Sequence, residues 1–117
     1  MAHVLALLDD LFFQAKLVET ARQTGVELQV AATPYALLTA AREQAPALVV
    51  VDLNARQNPL EAIAQLRAEW PELRVIAFLS HVQTELAEQA RAAGCTEVMP
   101  RSKFTKHLAE ILARAKA

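Results

Sequence analysis

Five short apolar runs alternate along this chain with segments whose apolar residues recur every three or four positions. Runs of this length that are rich in Val, Leu and Ile are typical of buried strands, and the intervening periodicity is typical of amphipathic helices. No two-residue hairpin turn joins consecutive runs. The strands must therefore lie parallel, with helices connecting them over both faces of the sheet. We expect an α/β domain with five parallel strands and five helices.

The boundaries of these elements follow from turn and cap residues. The predicted strands are residues 4–8, 26–32, 47–51, 74–79 and 96–99, and the third, a continuous run ending at Asp52, is expected at the sheet centre. The predicted helices are residues 11–24, residues 34–44, a segment from a capping box at Asn58 to Pro71, a segment that ends at Gly94, and a segment capped by Thr105. Gly25 is expected to end the first helix in the left-handed conformation, and Thr33 to begin the second.

Composition excludes several classes of protein. The chain has 117 residues, 54% of them hydrophobic and 21% charged, with a formal net charge of -1. These values disfavour disorder and a basic surface for nucleic acid. A lone cysteine, Cys95, excludes an internal disulfide or a CxxC metal site, and no run of eighteen apolar residues predicts a membrane span. We expect one cytoplasmic, stand-alone domain over residues 1–117, with neither nucleic acid nor membrane as a partner.

Acidic residues follow two of the predicted strands. Asp9 and Asp10 come after the first strand and Asp52 ends the third. Because the carboxyl ends of parallel strands form the functional crevice of an open sheet, these carboxylates should converge. Their mutual repulsion would be relieved by a hard divalent cation such as Mg²⁺. The pattern predicts a weak metal site suited to phosphoryl transfer.

A hydroxyl and two cations follow the last two strands. Ser80 ends the fourth strand, and Arg101 and Lys103 follow the fifth. A hydroxyl and a cation at this edge would hold the oxygens of a phosphoryl group. The same residues also have purely structural interpretations: Asp10 is a good N-cap for the first helix, and Ser80 for the fourth.

Four segments of the chain, taken in order, resemble the response-regulator receiver domain, and the resemblance covers essentially the whole chain. They are VLALLDD, LVVVDLN, VIAFLS and AAGCTEVMPRSKF. The resemblance implies a flavodoxin-like, doubly wound sheet with strand order 2-1-3-4-5. It also implies that the protein is a signalling domain and not an enzyme, beyond phosphorylating and dephosphorylating itself.

The resemblance assigns roles to individual residues. Asp52 would be the phosphoacceptor, and Ser80 would form a hydrogen bond with the phosphoryl group. Asp10 would bind Mg²⁺ directly, Asp9 would act largely through water, and the Asn54 backbone carbonyl would complete the ligands.

Several positions depart from the family pattern. Arg101 falls where the family has a lysine, and Lys103 is the second candidate for that basic position. Val98 replaces the aromatic residue of the last strand, and His81 follows Ser80 where a small residue is usual. The loop that follows Asp52 is one residue short and has no glycine. These departures predict weak coupling between phosphorylation and the rest of the surface.

Two functions remain open on this basis. The first is an atypical receiver that takes a phosphoryl group from a histidine kinase or phosphotransfer protein and then binds a downstream partner. The alternative is a pseudo-receiver, an interaction module whose binding does not depend on phosphorylation. The resemblance also implies a face where two copies could pair as a homodimer, formed by helix 4, strand 5 and helix 5. The alternative is an ordinary solvated surface. That face carries both signs of charge: Glu85, Glu88, Lys103, Lys106 and Arg114.

Overall fold

The computed structural model describes residues 2–80 and 83–116, which form five strands and six α-helices. The strands are β1 (His3–Leu7), β2 (Glu27–Ala31), β3 (Leu48–Asp52), β4 (Val75–Leu79) and β5 (Glu97–Pro100). The helices are α1 (Leu11–Thr24), α2 (Pro34–Glu43), α3 (Pro59–Glu69), α4 (Thr84–Ala93), α5 (Arg101–Lys106) and α6 (Leu108–Ala113), and a 3-10 turn covers Arg114–Lys116.

All four strand pairings are parallel, and the sheet order is β2-β1-β3-β4-β5. The predicted doubly wound sheet, its 2-1-3-4-5 order and the central position of the third strand are thus confirmed. The described helices number six where five were predicted, because the last one is interrupted.

Two apolar layers cover the sheet. Along β1, Val4 and Ala6 pack into the layer that contains α1, α5 and α6, whereas Leu5 and Leu7 pack into the layer that contains α2, α3 and α4. Successive strand side chains point to opposite faces, so a strand covered on both sides is apolar throughout. Within the part of the chain that the structure describes, no helix has the combined length and apolarity that a bilayer crossing requires.

Helix caps agree with the sequence at α1 and α2. Gly25 ends α1 with φ of 80°, and its amide donates to the Ala21 carbonyl at 2.9 Å. Thr33 begins α2, where its hydroxyl oxygen accepts a hydrogen bond from the Ala36 amide at 3.1 Å. These caps fix where the chain leaves α1 and enters α2.

The predicted last helix is wrong in its start and its continuity. It begins at Arg101, directly after Pro100, whose extended backbone (ψ 150°) turns the chain out of β5. Thr105 therefore lies inside α5 and does not cap it. At His107 the φ angle is -106°, which ends α5 and begins α6.

The capping box predicted at Asn58 is also wrong. The Asn58 side chain makes no capping hydrogen bond, and its backbone is left-handed, with φ of 40° and ψ of 59°. Asparagine is among the few residues that tolerate this conformation. Asn58 thus allows the loop between β3 and α3 to turn without a glycine.

Candidate functional site

The strand register brings the sequence-predicted residues to one edge of the sheet. Leu7 of β1 pairs with Val51 of β3, and Asp52 pairs with Phe78 of β4. The residues that follow these positions therefore emerge together at the carboxyl ends of the strands. Asp52 lies at the centre of this edge.

Asp52 is almost completely buried, with 2% of its surface exposed. Its Oδ1 accepts a hydrogen bond from the Asn54 amide at 2.9 Å, and its Oδ2 accepts one from Arg101 Nη2 at 3.2 Å. Burial raises the pKa of the Asp52 carboxyl; the Asn54 amide and the Arg101 charge oppose that rise, whereas the charges of Asp9 and Asp10 add to it. The fold thus holds a desolvated carboxylate beside one strong cation.

Asp10 serves both interpretations that the sequence left open. As the N-cap of α1, it accepts hydrogen bonds at Oδ1 from the amides of Phe12 and Phe13, at 3.0 and 3.1 Å. Its other oxygen, Oδ2, accepts a hydrogen bond from Arg101 Nη1 at 3.3 Å. Capping therefore orients Asp10 toward Asp52 instead of removing it from the site.

Arg101 lies between Asp10 and Asp52 and contacts each with a different terminal nitrogen. The guanidinium carbon is 4.7 Å from the ring centre of Phe13 and 5.3 Å from that of Phe78. A planar guanidinium suits such stacking and paired contact better than an ammonium group. Lys103 is exposed on α5, beside a shallow cavity lined in part by Glu97 and Glu110, so the cation that faces Asp52 is Arg101.

Asp9 is held by a different arginine. Its Oδ2 accepts hydrogen bonds from the Arg56 amide at 3.0 Å and from Arg56 Nε at 3.3 Å. The Arg56 amide, more than its charge, lowers the pKa of the Asp9 carboxyl. Arg56 was not singled out in the sequence, because its partner lies 47 positions away and no local pattern reports such a pair.

The Asn54 side chain joins two loops at the site. Its Oδ1 accepts a hydrogen bond from the Ser80 amide at 2.7 Å, and its Nδ2 donates to Gln83 Oε1 at 3.0 Å. The loop after β3 is thereby tied to the loop after β4. The sequence suggested a role only for the Asn54 carbonyl, and Gln83 was not singled out. Ser80 does not cap α4, which begins after Gln83, and His81 lies outside the described residues.

A cleft of about 210 Å³ lies between α4 and β5. Val98 lines it together with Leu79, Ala87, Arg91 and Met99. Val98 is where the sequence lacks the expected aromatic residue, and the cleft that it lines lies beside β5, the strand that leads to Arg101.

The acidic groups of the site already accept hydrogen bonds from the protein itself. Among residues 2–80 and 83–116, no three Asp, Glu, His or Cys side chains are grouped so that they could hold a metal. Each carboxylate oxygen of Asp10 and Asp52 already accepts a hydrogen bond, and Asp9 is bound to Arg56. Asp9 and Asp10 both lie near enough to Asp52 for their charges to raise its pKa, and Arg101 joins Asp10 to Asp52.

Solved structures share this fold at low sequence identity. A response regulator receiver domain protein from Clostridium thermocellum is 17% identical with a TM-score of 0.84, and the match covers 98% of this chain and 94% of that one. A CheY-like receiver domain protein from Methanospirillum hungatei JF-1 is 16% identical with a TM-score of 0.82, over 99% and 97%. The receiver domain of NtrX from Brucella abortus is 21% identical with a TM-score of 0.79, over 95% and 98%.

One curated relative is the photosynthetic apparatus regulatory protein RegA from Rhodobacter capsulatus, 28% identical over 92 residues, which cover 78% of this chain. The match covers 50% of RegA, so the chain spans about half the length of that relative. It also matches 28% of the longer NtrX chain. No family model matches. Because the matched structures cover nearly all of the sheet and helices described above, the chain has the fold of response-regulator receiver domains.

Proposed function

We propose that this chain is an atypical receiver of two-component phosphorelay signalling, in which Asp52 accepts a phosphoryl group from a histidine kinase or phosphotransfer protein. The observation that carries the proposal is the buried Asp52 carboxylate at the end of the central strand, beside Arg101 and next to the strand that leads to Ser80. RegA, which is similar to this chain over 92 residues, is a regulatory protein. The proposed location is the cytoplasm.

The proposed transfer uses groups that the chain itself supplies. Asp52 Oδ2 forms a bond to phosphorus while the bond from phosphorus to the donor nitrogen or oxygen breaks, and the leaving group keeps that electron pair. The product is an acyl phosphate. Arg101, already 3.2 Å from Oδ2, neutralises charge on the transferred group, and the Ser80 hydroxyl forms a hydrogen bond with a phosphoryl oxygen. In this proposal, later transfer of the phosphoryl group to water resets the domain, and the chain acts as a signalling domain that turns over no other substrate.

Mg²⁺ belongs to this proposal as a weakly bound ion that would neutralise charge on the transferred group. Asp9, Asp10, Asp52 and the Asn54 backbone carbonyl are its proposed ligands. Two of these carboxylates contact Arg101 in the described arrangement, which favours weak binding.

Exposed apolar residues next to the site support binding of another protein. At the start of α1, the residue after Asp10 is Leu11, which is 75% exposed, and Phe12 is 92% exposed. Tyr35, in the first turn of α2, is 80% exposed. Large exposed apolar groups commonly mark interaction surfaces. A phosphodonor protein that approaches Asp52 from the carboxyl edge of the sheet would meet them.

Self-association through α4, β5 and α5 is the second proposed contact. Glu85 and Glu88 are exposed on α4, and Lys103 and Lys106 are exposed on α5. Opposite charges on one face suit pairing across a two-fold axis. Light scattering with and without beryllofluoride tests this contact, and a monomer at high concentration in both conditions refutes it.

One observation favours the pseudo-receiver as the second candidate. Arg101 and the backbone satisfy all four oxygens of Asp10 and Asp52 without any ligand. A module that never binds phosphate would be stable in this state. Val98 fits this candidate as well, because it stands in place of the aromatic residue that would carry a signal from Asp52 to the surface away from the site.

Intact-mass spectrometry distinguishes the two candidates. The protein is incubated with Mg²⁺ and a small acyl phosphate, and the wild type is compared with Asp52→Asn and with Glu88→Gln, an exposed control on α4. The receiver proposal predicts one added phosphoryl group in the wild type and in Glu88→Gln, and none in Asp52→Asn. Absence of an adduct in the wild type would replace it with the pseudo-receiver, and an adduct that persists in Asp52→Asn would refute Asp52 as the phosphoacceptor.

A further inference from the structure

The two edges of the sheet differ in how well they are protected. An edge strand carries unpaired backbone groups that can pair with another chain, and proteins usually guard it by short length, proline or charge. The β5 edge has all three: four residues, Pro100 at its end, and Glu97 in an ion pair with Arg114. The β2 edge, Glu27–Ala31, has five residues and neither proline nor lysine. The β2 edge is therefore the less protected of the two.

The pairing of β2 with β1 uses only alternate residues of β2. The Glu27 amide donates to the Ala2 carbonyl at 2.8 Å, and the Ala31 carbonyl accepts from the loop after β1. Residues between such positions direct both backbone groups to the opposite side of the strand. Leu28 and Val30 therefore point their amides and carbonyls outward. Within residues 2–80 and 83–116, no strand lies beyond β2 to meet them.

The side chains of β2 are accessible, unlike those of the inner strands. Every residue of β1, β3 and β4 is buried, whereas Ala31 alone is buried in β2. Glu27 and Gln29 are exposed on the same face as Ala31. Leu28 and Val30 are half-buried against the layer that contains α1. A second strand can thus reach the edge and would cover what remains exposed of these two apolar side chains.

The single charged side chain of β2 is held over its own sheet. Glu27 Oε1 lies 2.9 Å from Nδ1 of His3, the first residue of β1, which is only 5% exposed. The same oxygen accepts a hydrogen bond from Gln44 Nε2, at the end of α2, at 3.3 Å. Both contacts draw the carboxylate toward the neighbouring strand and helix. Its charge therefore lies away from the path of a strand that approaches the edge.

The order of residues in β2 suits antiparallel pairing with a second copy of itself. When a two-fold axis passes between the two Gln29 residues, Leu28 of each copy lies opposite Val30 of the other. This is the register in which the outward groups of β2 pair only with one another, because each Leu28 and Val30 pair exchanges two hydrogen bonds. The paired Leu and Val side chains also contact each other on one face of the sheet.

Charge does not oppose this register. The two copies of Glu27 lie four strand positions apart, about 14 Å at the rise of an antiparallel strand. That separation exceeds the screening length of about 8 Å at physiological ionic strength. The residues that meet on the axis are the uncharged Gln29 side chains.

We propose that the β2 edge is an interface between two copies of this chain, in which antiparallel β2 strands centred on Gln29 join two five-stranded sheets into one. The proposal is independent of the proposed function, and it uses the edge of the sheet opposite to the α4, β5 and α5 contact. Pairing along one short strand buries less surface than a standard interface, so the dimer is weak and forms at high protein concentration.

Sedimentation equilibrium over a wide concentration range tests the surface. Gln29→Lys places two like charges directly opposite each other at an exposed position, so it should weaken dimerisation at least about tenfold without disturbing the domain. Gln65→Lys makes the same change at an exposed position of α3 and should match the wild type. Lys106→Glu, on the α5 face, should also leave this dimer unchanged.

Disulfide trapping tests the register. Both variants carry Cys95→Ser, which removes the only native cysteine. Directly opposed residues of a non-hydrogen-bonded antiparallel pair have Cα atoms about 4.5 Å apart, which a disulfide can bridge. Gln29→Cys should therefore oxidise to a covalent dimer. Glu27→Cys, on the same face of the same strand, lies too far from its own copy and should remain uncrosslinked.

Three results overturn the proposal: a wild type that is monomeric at every concentration, a dimer that Gln29→Lys does not weaken, and equal crosslinking of Gln29→Cys and Glu27→Cys. A dimer that Lys106→Glu disrupts and Gln29→Lys does not belongs to the α4, β5 and α5 face. If Gln29→Lys does not fold, the comparison of the two cysteine variants decides. All of these measurements use unphosphorylated protein, so their failure leaves the phosphoacceptor proposal standing, and absence of a phosphoryl adduct leaves this one standing.

Discussion

Arg67 donates hydrogen bonds through Nε and Nη2 to the carbonyl oxygen of Gly94, at 3.0 and 2.7 Å. The contact joins the last turn of α3 to the end of α4. Gly94 has φ of 123°, and a Cβ built there would lie 2.8 Å from Arg67 Cγ. Glycine is therefore required at this position by both the backbone and its neighbour.

Gly94→Ala should be strongly destabilising, with a loss of about 2–4 kcal/mol in the free energy of unfolding from strain and overlap together. Gly25→Ala is the matched control, because Gly25 has φ of 80° but its nearest neighbour, Lys116 Nζ, is 3.6 Å from the added carbon. That variant should lose only about 1–2 kcal/mol. Urea denaturation followed by circular dichroism measures both, and equal losses would contradict the role of Arg67.

Asp52→Asn should preserve the fold and raise the thermal midpoint by a few degrees at neutral pH. Burial raises the pKa of the Asp52 carboxyl in the folded protein above its ordinary value of 3.8. The folded wild type therefore holds this proton more tightly than the unfolded chain does. Its free energy of unfolding falls as pH rises from below 3.8 through the raised pKa. The side-chain amide of the Asp52→Asn variant does not titrate, so its stability lacks this pH dependence. The difference in thermal midpoint between variant and wild type should therefore vanish in acid and grow toward neutral pH. A large fall in the midpoint would show that the Arg101 contact outweighs desolvation.

The Cys95 thiol should react slowly in the folded protein. Burial raises its pKa from 9.0 to about 12, which leaves roughly 10³-fold less thiolate at pH 8 than an exposed cysteine would have. Iodoacetamide labelling followed by mass spectrometry should be slow in buffer and fast in urea. Rapid labelling in buffer would mean that the connection between α4 and β5, where Cys95 lies, opens readily.

The link from Asn54 to Ser80 should protect one amide from hydrogen exchange. Asn54→Ala removes the oxygen that the Ser80 amide contacts at 2.7 Å, and exchange at Ser80 should accelerate by about tenfold or more. Gln83→Ala removes only the other contact of Asn54, so the Ser80 amide should stay protected. Exchange measured by NMR compares the two, and similar acceleration in both would assign the protection to the Asn54–Gln83 pair instead.

Local sequence patterns sufficed for most of the sheet and for several caps. Every residue of the run before Asp52 is apolar, and only a strand covered on both faces needs such a pattern. Gly25 marked the end of α1, because few other residues adopt the left-handed conformation of that cap. The start of α5 was missed because Thr105 is a good capping residue by type, whereas the turn actually occurs at Pro100. The capping preference of Thr105 was outweighed by the direction in which the chain leaves β5 at Pro100.

The candidate site was predictable as a set of positions but not as a set of contacts. Parallel strands bring Asp10, Asp52 and Arg101 to one edge whatever their side chains do. Which acid pairs with which arginine depends on side chains that approach from loops far apart in sequence, such as Arg56 reaching Asp9. The sequence placed Arg101 at this edge, but it did not show that the guanidinium contacts both Asp10 and Asp52.

The only tryptophan of the chain, Trp70, follows α3 directly, and its carbonyl oxygen accepts a hydrogen bond from Arg67. Since α3 starts at the edge that carries Asp52 and runs eleven residues, Trp70 lies about 16 Å along the helix axis from that start. Intrinsic fluorescence will therefore report on the Arg67 and Gly94 junction and remain largely silent on events at Asp52. An optical assay of the acidic edge needs its own chromophore, and the exposed ring position of Phe12 provides a place to introduce an indole.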